Sequence, residues 1–256
     1  MEFNVQTDEM DLRNASPEQV EAWFAKFAAT DLLNQAPEAF GTIYADPPWR
    51  FTNRTGKMAP EHKRLRRYPT MHLNEICEMP VSRIARPQSH LYLWVPNALI
   101  QEGLEVMKRW GFTYKTNIIW YKIRKDGGPD RRGVGFYFRN VTEVCLFGTR
   151  GTNIRTREAG RTMPNIITTQ KTFHSRKPSE MYQIIESCSY GPYIELFSRS
   201  QRPGWTMWGN QAGILDTENV DYDYGYRIES PKSQDVLFER KKAVVETKDK
   251  ATKLSK

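Results

Sequence analysis

The sequence predicts an α/β fold in which one mostly parallel, twisted sheet is covered by helices on both faces. Short apolar segments with strand character alternate along the chain with segments whose apolar residues recur at helical spacing. Such alternation favours parallel pairing, because a crossover helix returns the chain to the same edge of the sheet. The 256 residues suffice for one sizeable core, so we expect a single domain over 1–215, with a helical segment within 1–30.

The N-terminal half begins with a predicted amphipathic helix over 17–29. Ser16 is a suitable cap and Pro17 a suitable first helical residue. A short strand over 41–45 then leads into Asp46-Pro47-Pro48-Trp49, where two prolines must turn the chain out of the sheet. The next predicted elements are a basic loop over 50–70, a short helix over 73–79, a buried strand over 89–95, a helix over 98–110 ended by Gly111, and a strand over 115–121.

The C-terminal half continues the alternation and then loses it. The predicted elements are a glycine-rich loop over 124–136, a strand over 142–148, a short strand near 166–168, a helix over 178–188, and strands over 193–197 and 205–208. Beyond Gln211 the sequence becomes acidic and tyrosine-rich, then lysine-rich, without periodicity. We therefore predict a flexible charged tail over 216–256.

The composition excludes several classes of protein. No apolar run reaches the length of about eighteen residues that a membrane helix needs, and the acidic, polar N-terminus is unlike a secretory signal. Cys77, Cys145 and Cys188 are far apart and lack CxxC spacing, so we expect core thiols in a reduced, cytoplasmic protein. The four histidines show no pairing typical of a metal site, and we expect no metal.

The net charge of +8 is concentrated in a few segments. Residues 50–67 carry seven basic side chains against one acidic, and residues 122–139 carry six against two. Clustered cations beside glycine and proline indicate basic loops that contact a polyanion, although charge alone fits solvated loops equally well. The candidate nucleic-acid contacts are Arg54, Lys63, Arg64, Arg66, Arg67, Lys125, Arg131 and Arg132.

The four residues Asp46-Pro47-Pro48-Trp49 stand where a parallel sheet binds its ligands, at the carboxyl end of a strand. They suit the methylation of an aromatic amine, whose lone pair is delocalised into the ring. The Asp46 carboxylate and the Pro47 carbonyl can accept both N–H groups, which directs the lone pair outward. Pro48 stiffens the turn, and Trp49 offers a flat face to an extruded base. The same residues also fit a plain turn with a core tryptophan.

Further segments in fixed order accompany this motif, and together they resemble the MT-A70 family. That family is named after the seventy-kilodalton subunit of eukaryotic mRNA adenine methyltransferase, and its bacterial and phage members act on DNA. The resemblance implies a Rossmann-like, S-adenosylmethionine-dependent methyltransferase fold with the acceptor motif before the cofactor motif, a permuted order. It spans about residues 40–212, through the segments 43–49, 68–71, 91–94, 110–112, 117–120, 143–148, 175–180, 195–199 and 208–211.

The resemblance also implies roles for individual residues. Asp46 and Pro47 would hold the target amine, and Asp46 would meet the amino end of the cofactor. Lys177 would face the methionine carboxylate; a helix start disfavours a cation, so a lysine there favours a bound anion. The other implied cofactor contacts are Glu195, Phe197, Arg199, Asn210 and Gln211, with Asp31 and Leu32 as candidates for the cofactor's adenine.

The expected substrate is adenine flipped out of duplex DNA in a bacterial or phage-encoded enzyme. RNA is the alternative, because the acceptor pocket does not read the sugar. A non-catalytic nucleic-acid-binding subunit is a second alternative, but such subunits lose the acidic acceptor or the cofactor contacts, whereas Asp46, Lys177 and Asn210 are present. A homodimer stays open, since two copies would offer a duplex more surface.

Overall fold

A computed structural model describes the chain in five stretches. These are residues 17–50, 70–130, 137–170, 177–199 and 201–209, with side chains from residue 26 onward. Ser16, most of the predicted basic loop and the predicted tail lie outside the described residues.

Seven strands form one sheet in the described part of the chain, in the order β5-β3-β4-β2-β1-β6-β7. The strands are β1 (Phe40–Ala45), β2 (Ala85–Val95), β3 (Thr113–Ile123), β4 (Thr142–Arg150), β5 (Ile166–Gln170), β6 (Tyr193–Leu196) and β7 (Trp205–Trp208). Strand β4 is antiparallel to its neighbours β2 and β3, and the other four pairs are parallel. The predicted mostly parallel sheet is confirmed.

The predicted helices are present with shifted ends, and the structure adds a short helix over Val81–Ile84 that the sequence did not predict. They are α1 (Pro17–Gln35), α2 (Leu73–Glu78), α3 (Val81–Ile84), α4 (Ile100–Arg109) and α5 (Glu180–Cys188). Helix α1 continues past residue 29 because Leu32 and Leu33 extend its apolar face into the core. Gly111 follows α4 with a φ of 83°, a left-handed conformation that ends the helix as predicted. None of the described helices is long and apolar enough to cross a membrane.

Helices cover both faces of the sheet, as predicted. Side chains alternate along β2, so Leu91 and Leu93 pack into one hydrophobic cluster while Tyr92 and Trp94 pack into the other. The first cluster includes residues of α1 to α4, and the second includes Met181 and Ile185 of α5.

One edge of the sheet collects the ends of the six strands that run in one direction and the start of β4. Ala45 of β1 lies opposite Leu196 of β6, so both strands end together. Because β4 runs the other way, its first residue, Thr142, lies opposite Tyr121 near the end of β3. Residues that follow β1, β2, β3 and β6 therefore meet the beginning of β4 at this carboxyl edge, where ligands of such sheets bind.

Candidate active site

Asp46 is the first residue beyond β1, in a corner held by backbone hydrogen bonds. The Trp49 N–H donates to the Pro47 carbonyl at 2.8 Å, and the Met71 N–H donates to the Pro48 carbonyl at 2.9 Å. Among the described residues the Pro47 carbonyl accepts this one hydrogen bond, and a carbonyl oxygen has a second lone pair that can accept from another donor. The corner is pinned to the chain that follows the predicted basic loop, and Asp46 stays half-buried at the carboxyl edge.

Trp49 is not an exposed stacking face, so that part of the prediction is wrong. Its side chain is only 6% exposed and belongs to the core cluster under α1 to α4. The indole Nε1–H donates to the Trp94 carbonyl at 2.9 Å, which satisfies its one polar group in the core. The ring turns inward because burial of a large indole outweighs exposure at the corner. Trp49 therefore anchors the corner that carries Asp46.

Lys177 lies beside Asp46 and links it to a second carboxylate. Its Nζ is 2.8 Å from Asp46 Oδ2 and 3.2 Å from Glu143 Oε2. It also lies 5.3 Å from the centre of the Trp94 ring. Lys122, from the end of β3, contacts the other oxygen of Glu143. Two lysines and two carboxylates thus alternate along the carboxyl edge.

The neighbouring charges stabilise the ionised forms of Glu143 and Lys177. Burial alone would raise the pKa of Glu143, but Lys177 and Lys122 outweigh it and lower the pKa to about 2. Burial alone would lower the pKa of Lys177, but Asp46 and Glu143 raise it above its ordinary value. Glu143 and Lys177 therefore remain charged at neutral pH.

Glu195 lies in β6 with its carboxylate in a less polar setting. The Tyr182 hydroxyl, from α5, donates to Glu195 Oε2 at 2.6 Å. Burial raises the pKa of Glu195 to about 7, and the nearby Asp46 charge acts in the same direction. This carboxyl group is therefore partly protonated at neutral pH, unlike Glu143.

The turn after β6 brings Phe197 and Arg199 to the same edge. Phe197 has a φ of 62°, a left-handed conformation that is uncommon for a bulky residue and is often found at functional sites. The next residue, Ser198, is buried and donates its N–H to the Trp208 carbonyl at 2.9 Å. A Cβ on Gly209 would lie 2.4 Å from the Ser198 carbonyl oxygen, so only glycine allows this close approach. The charge of Arg199 acts on both Lys177 and Glu195.

The two candidate contacts for the adenine of the cofactor, Asp31 and Leu32, have different surroundings. Leu32 is fully buried in the core and is not available as a contact, so that candidate is wrong. Asp31 accepts a hydrogen bond of 2.9 Å from Trp208 Nε1 and also binds the Gln35 amide. It thereby ties α1 to the end of β7, close to the turn that begins at Phe197.

Several predicted contacts lie outside the described residues. Among the candidate nucleic-acid contacts, Lys125 is described and is exposed. The contacts that fall outside are Asn210 and Gln211 for the cofactor, and Arg54, Lys63, Arg64, Arg66, Arg67, Arg131 and Arg132 for nucleic acid.

Sequence reasoning missed Glu143, Lys122 and Tyr182 as members of the site. A usable signal existed for Glu143, because it is a charged residue inside an otherwise apolar predicted strand. The charged groups of the described residues fit S-adenosylmethionine. The Asp46 carboxylate suits the ammonium of its methionine end, and the Lys177 ammonium suits the carboxylate. Arg199 and Glu195 add hydrogen-bonding groups one strand away.

The fold and the site together define a Rossmann-like α/β protein with a charged ligand site at the carboxyl edge of its sheet. A model of the MT-A70 family matches residues 40–211. The chain belongs to the MT-A70 family.

Similar proteins come from distantly related organisms. The chain is 31% identical to the N(6)-adenosine-methyltransferase subunit METTL3 of Danio rerio over 71% of its length and 30% of the relative. It is 28% identical to the N(6)-adenine-specific methyltransferase METTL4 of Homo sapiens over 75% of its length and 40% of the relative. It is 27% identical to the type II methyltransferase M.MunI of Mycoplasma over 70% of its length and 81% of the relative. The chain thus spans less than half of the two vertebrate proteins.

Proposed function

We propose that the protein transfers the methyl group of S-adenosylmethionine to the exocyclic amino group of adenine in DNA. The observation that carries the proposal is the ion pair of 2.8 Å between Asp46 and Lys177 at the carboxyl edge. An α-amino acid presents an ammonium and a carboxylate, so an anchored carboxylate and an anchored ammonium complement its methionine end. All three relatives described above are named as methyltransferases.

The residues of the corner would position the amine. S-adenosylmethionine, when bound, supplies an electrophilic methyl group on a sulfonium. Asp46 accepts one N–H of the adenine amine, and the second lone pair of the Pro47 carbonyl accepts the other. Both acceptors are fixed before substrate arrives, because Pro47 is held by Trp49 and Asp46 by Lys177. Fixed acceptors lower the barrier without reorganisation at the moment of reaction.

Glu143 and Lys122 would hold the ion pair of Asp46 and Lys177 in place. Glu143 holds Lys177 at 3.2 Å and contacts Lys122, so the ammonium of Lys177 has a fixed direction. A lysine held on two sides loses less freedom when it binds a carboxylate than a free surface lysine does.

Two observations favour DNA as the substrate. The chain aligns with 81% of the bacterial type II methyltransferase but with only 30% and 40% of the two vertebrate proteins. Bacterial members of the family act on DNA, as the sequence resemblance implied. The clustered basic segments over 50–67 and 122–139 also suit a duplex polyanion.

A direct assay with labelled cofactor tests the substrate. Duplex DNA, single-stranded DNA and RNA of matched sequence are methylated side by side at one salt concentration. We expect incorporation into DNA and hydrolysis products that contain methylated adenine. Preference for RNA would replace the DNA proposal, and no saturable heat on titration with cofactor would indicate a non-catalytic subunit.

Replacing Asp46 tests the mechanism. Asp46→Ala should reduce turnover by at least about a thousandfold, because it removes one preorganised acceptor and a cofactor contact. Asp46→Asn retains one acceptor oxygen and the shape, so it should keep more activity than the alanine variant. The circular dichroism spectrum should match that of the wild type, since Asp46 lies in a turn. Methylation at the wild-type rate by Asp46→Ala would remove this residue from the mechanism.

A further inference from the structure

Two consecutive aromatic side chains lie almost completely in solvent. Tyr137 is 94% exposed and Phe138 is 85% exposed. Among the described residues, the next most exposed aromatic ring is Tyr190 at 64%. Neither Tyr137 nor Phe138 packs into the two core clusters. Exposed apolar groups of this size, side by side, are typical of a contact surface for another molecule.

The pair lies close to the candidate active site along the chain. Val141, three residues after Phe138, accepts the backbone N–H of Lys122 at 2.9 Å, which attaches this segment to the end of β3. Glu143, two residues further, pairs with Lys177. Five residues from Phe138 to Glu143 span at most about 18 Å. The rings are thus within a few nucleotides of the corner that would hold the target adenine.

The chain segment that holds the pair carries a net positive charge: residues 122–139 have six basic side chains against two acidic ones. Arg139 follows Phe138 directly, and Lys125 is exposed on the turn after β3. The two acidic residues nearby are already engaged or buried: Asp126 pairs with Arg124, and Asp130 is 3% exposed. Aromatic rings among cations are the combination with which proteins bind unstacked bases, because rings stack on bases while cations contact phosphates.

We propose that Tyr137 and Phe138 stack on nucleobases that flank the target adenine when its strand opens. The inference rests on the proposed function and names a contact surface for its substrate. The rings would replace stacking that neighbouring bases lose when the adenine leaves the strand, which lowers the free energy required for extrusion.

Equilibrium binding of the full-length protein tests the inference. Fluorescence anisotropy is measured on a labelled adenine-containing oligonucleotide, in single-stranded and duplex form, at several salt concentrations. The double variant Tyr137→Ala with Phe138→Ala should bind about tenfold more weakly or worse, with an unchanged salt slope, because stacking releases no counterions. Tyr190→Ala is the matched control, since this exposed ring lies before β6 at the opposite edge of the sheet, and it should bind like the wild type.

Two further variants separate stacking from other contacts. Tyr137→Leu with Phe138→Leu keeps apolar surface without rings and should bind as weakly as the alanine pair. Arg139→Gln should reduce the salt slope by about one while the rings remain. Binding by the alanine pair within twofold of the wild type, or full recovery with leucine, would overturn the inference. If the alanine pair instead abolished self-association and left nucleic-acid binding unchanged, the rings would be a protein contact and the inference would be wrong.

Methyl transfer and cofactor calorimetry on the same variants separate this inference from the proposed function. If the wild type binds strands through its rings but transfers no methyl group, the proposed function fails and the stacking surface stands. If the wild type methylates adenine and the ring variants bind nucleic acid normally, only the stacking surface fails. A wild type that binds no adenine-containing strand overturns both.

Discussion

At the level of single residues, Lys177 lies between two carboxylates, and the site depends on this arrangement. The side chains of Lys177 and Asp46 are 21% and 24% exposed, so their ion pair is mostly shielded from solvent. The ion pair matters mainly because it holds side chains in place: Asp46, Lys177 and Glu143 keep fixed positions at the carboxyl edge. A ligand with both charges can exchange partners with the pair without leaving either group unpaired.

The pH dependence of stability should report on Glu195. Its pKa in the folded protein is about 7, above the ordinary value of 4.5, because it is buried. The folded state favours the protonated carboxyl group. The stabilisation that this group provides is therefore fully present below about pH 4.5 and is lost as the pH rises through about 7. The glutamine of the Glu195→Gln variant cannot ionise. The free energy of unfolding of this variant, relative to that of the wild type, should therefore increase by about 2 kcal/mol between about pH 5 and pH 8.

Denaturant unfolding at several pH values measures this difference. Glu105→Gln is a suitable control, because Glu105 is an exposed residue of α4, and its curve should run parallel to that of the wild type. Parallel curves for Glu195→Gln as well would show that Glu195 titrates normally.

At the level of elements, the corner over 46–49 depends on the inward ring of Trp49. Trp49→Phe retains an aromatic ring but loses the hydrogen bond to the Trp94 carbonyl. We expect a loss of about 1–2 kcal/mol in the free energy of unfolding, because the carbonyl is left without its donor and the ring is smaller. Thermal unfolding and methyl transfer measured together test this. Unchanged stability of Trp49→Phe would show that the hydrogen bond of the indole does not hold the corner in place.

The direction of β4 explains why the sequence predicted some site residues and not others. Asp46 could be predicted because it follows a strand that must turn at two prolines, and Lys177 because the resemblance to the MT-A70 family implied it. The alternation along β4 predicts a strand but not its direction. In an all-parallel sheet Glu143 would begin β4 at the opposite edge, whereas the antiparallel pairing brings it beside Lys177. The inward turn of the Trp49 ring likewise depends on packing that adjacent residues do not reveal.

At the level of the whole molecule, the sequence predicted the fold class better than the individual contacts. The alternation of strands and helices is enough to predict a layered α/β fold, whatever the individual contacts are. The reason is that helices must bury each apolar face of the sheet. Contacts across the sheet depend on strand order, and β4 lies between β2 and β3 although it follows both in the chain. This order brings Lys122 of β3 next to Glu143 and thus into the site.

The distribution of charge over the whole chain leads to a prediction about salt. Residues 50–67 carry a net charge of +6 in a chain of +8, so this segment should provide most phosphate contacts. Replacing Arg64, Arg66 and Arg67 with glutamine should weaken DNA binding and lower the slope of log K against log salt by about 2–3, close to 0.9 for each lost phosphate contact.

A matched variant separates the location of the charge from its amount. Lys248, Lys250 and Lys253 lie in the lysine-rich segment at the end of the chain, and replacing them with glutamine removes the same net charge. Titrations of both triple variants on one duplex, over the same range of salt, should lower the slope mainly for the arginine variant, because counterions are released only where phosphates are contacted. Equal slopes for the two variants would mean that binding depends on diffuse net charge and that the arginine-rich segment does not contact the DNA.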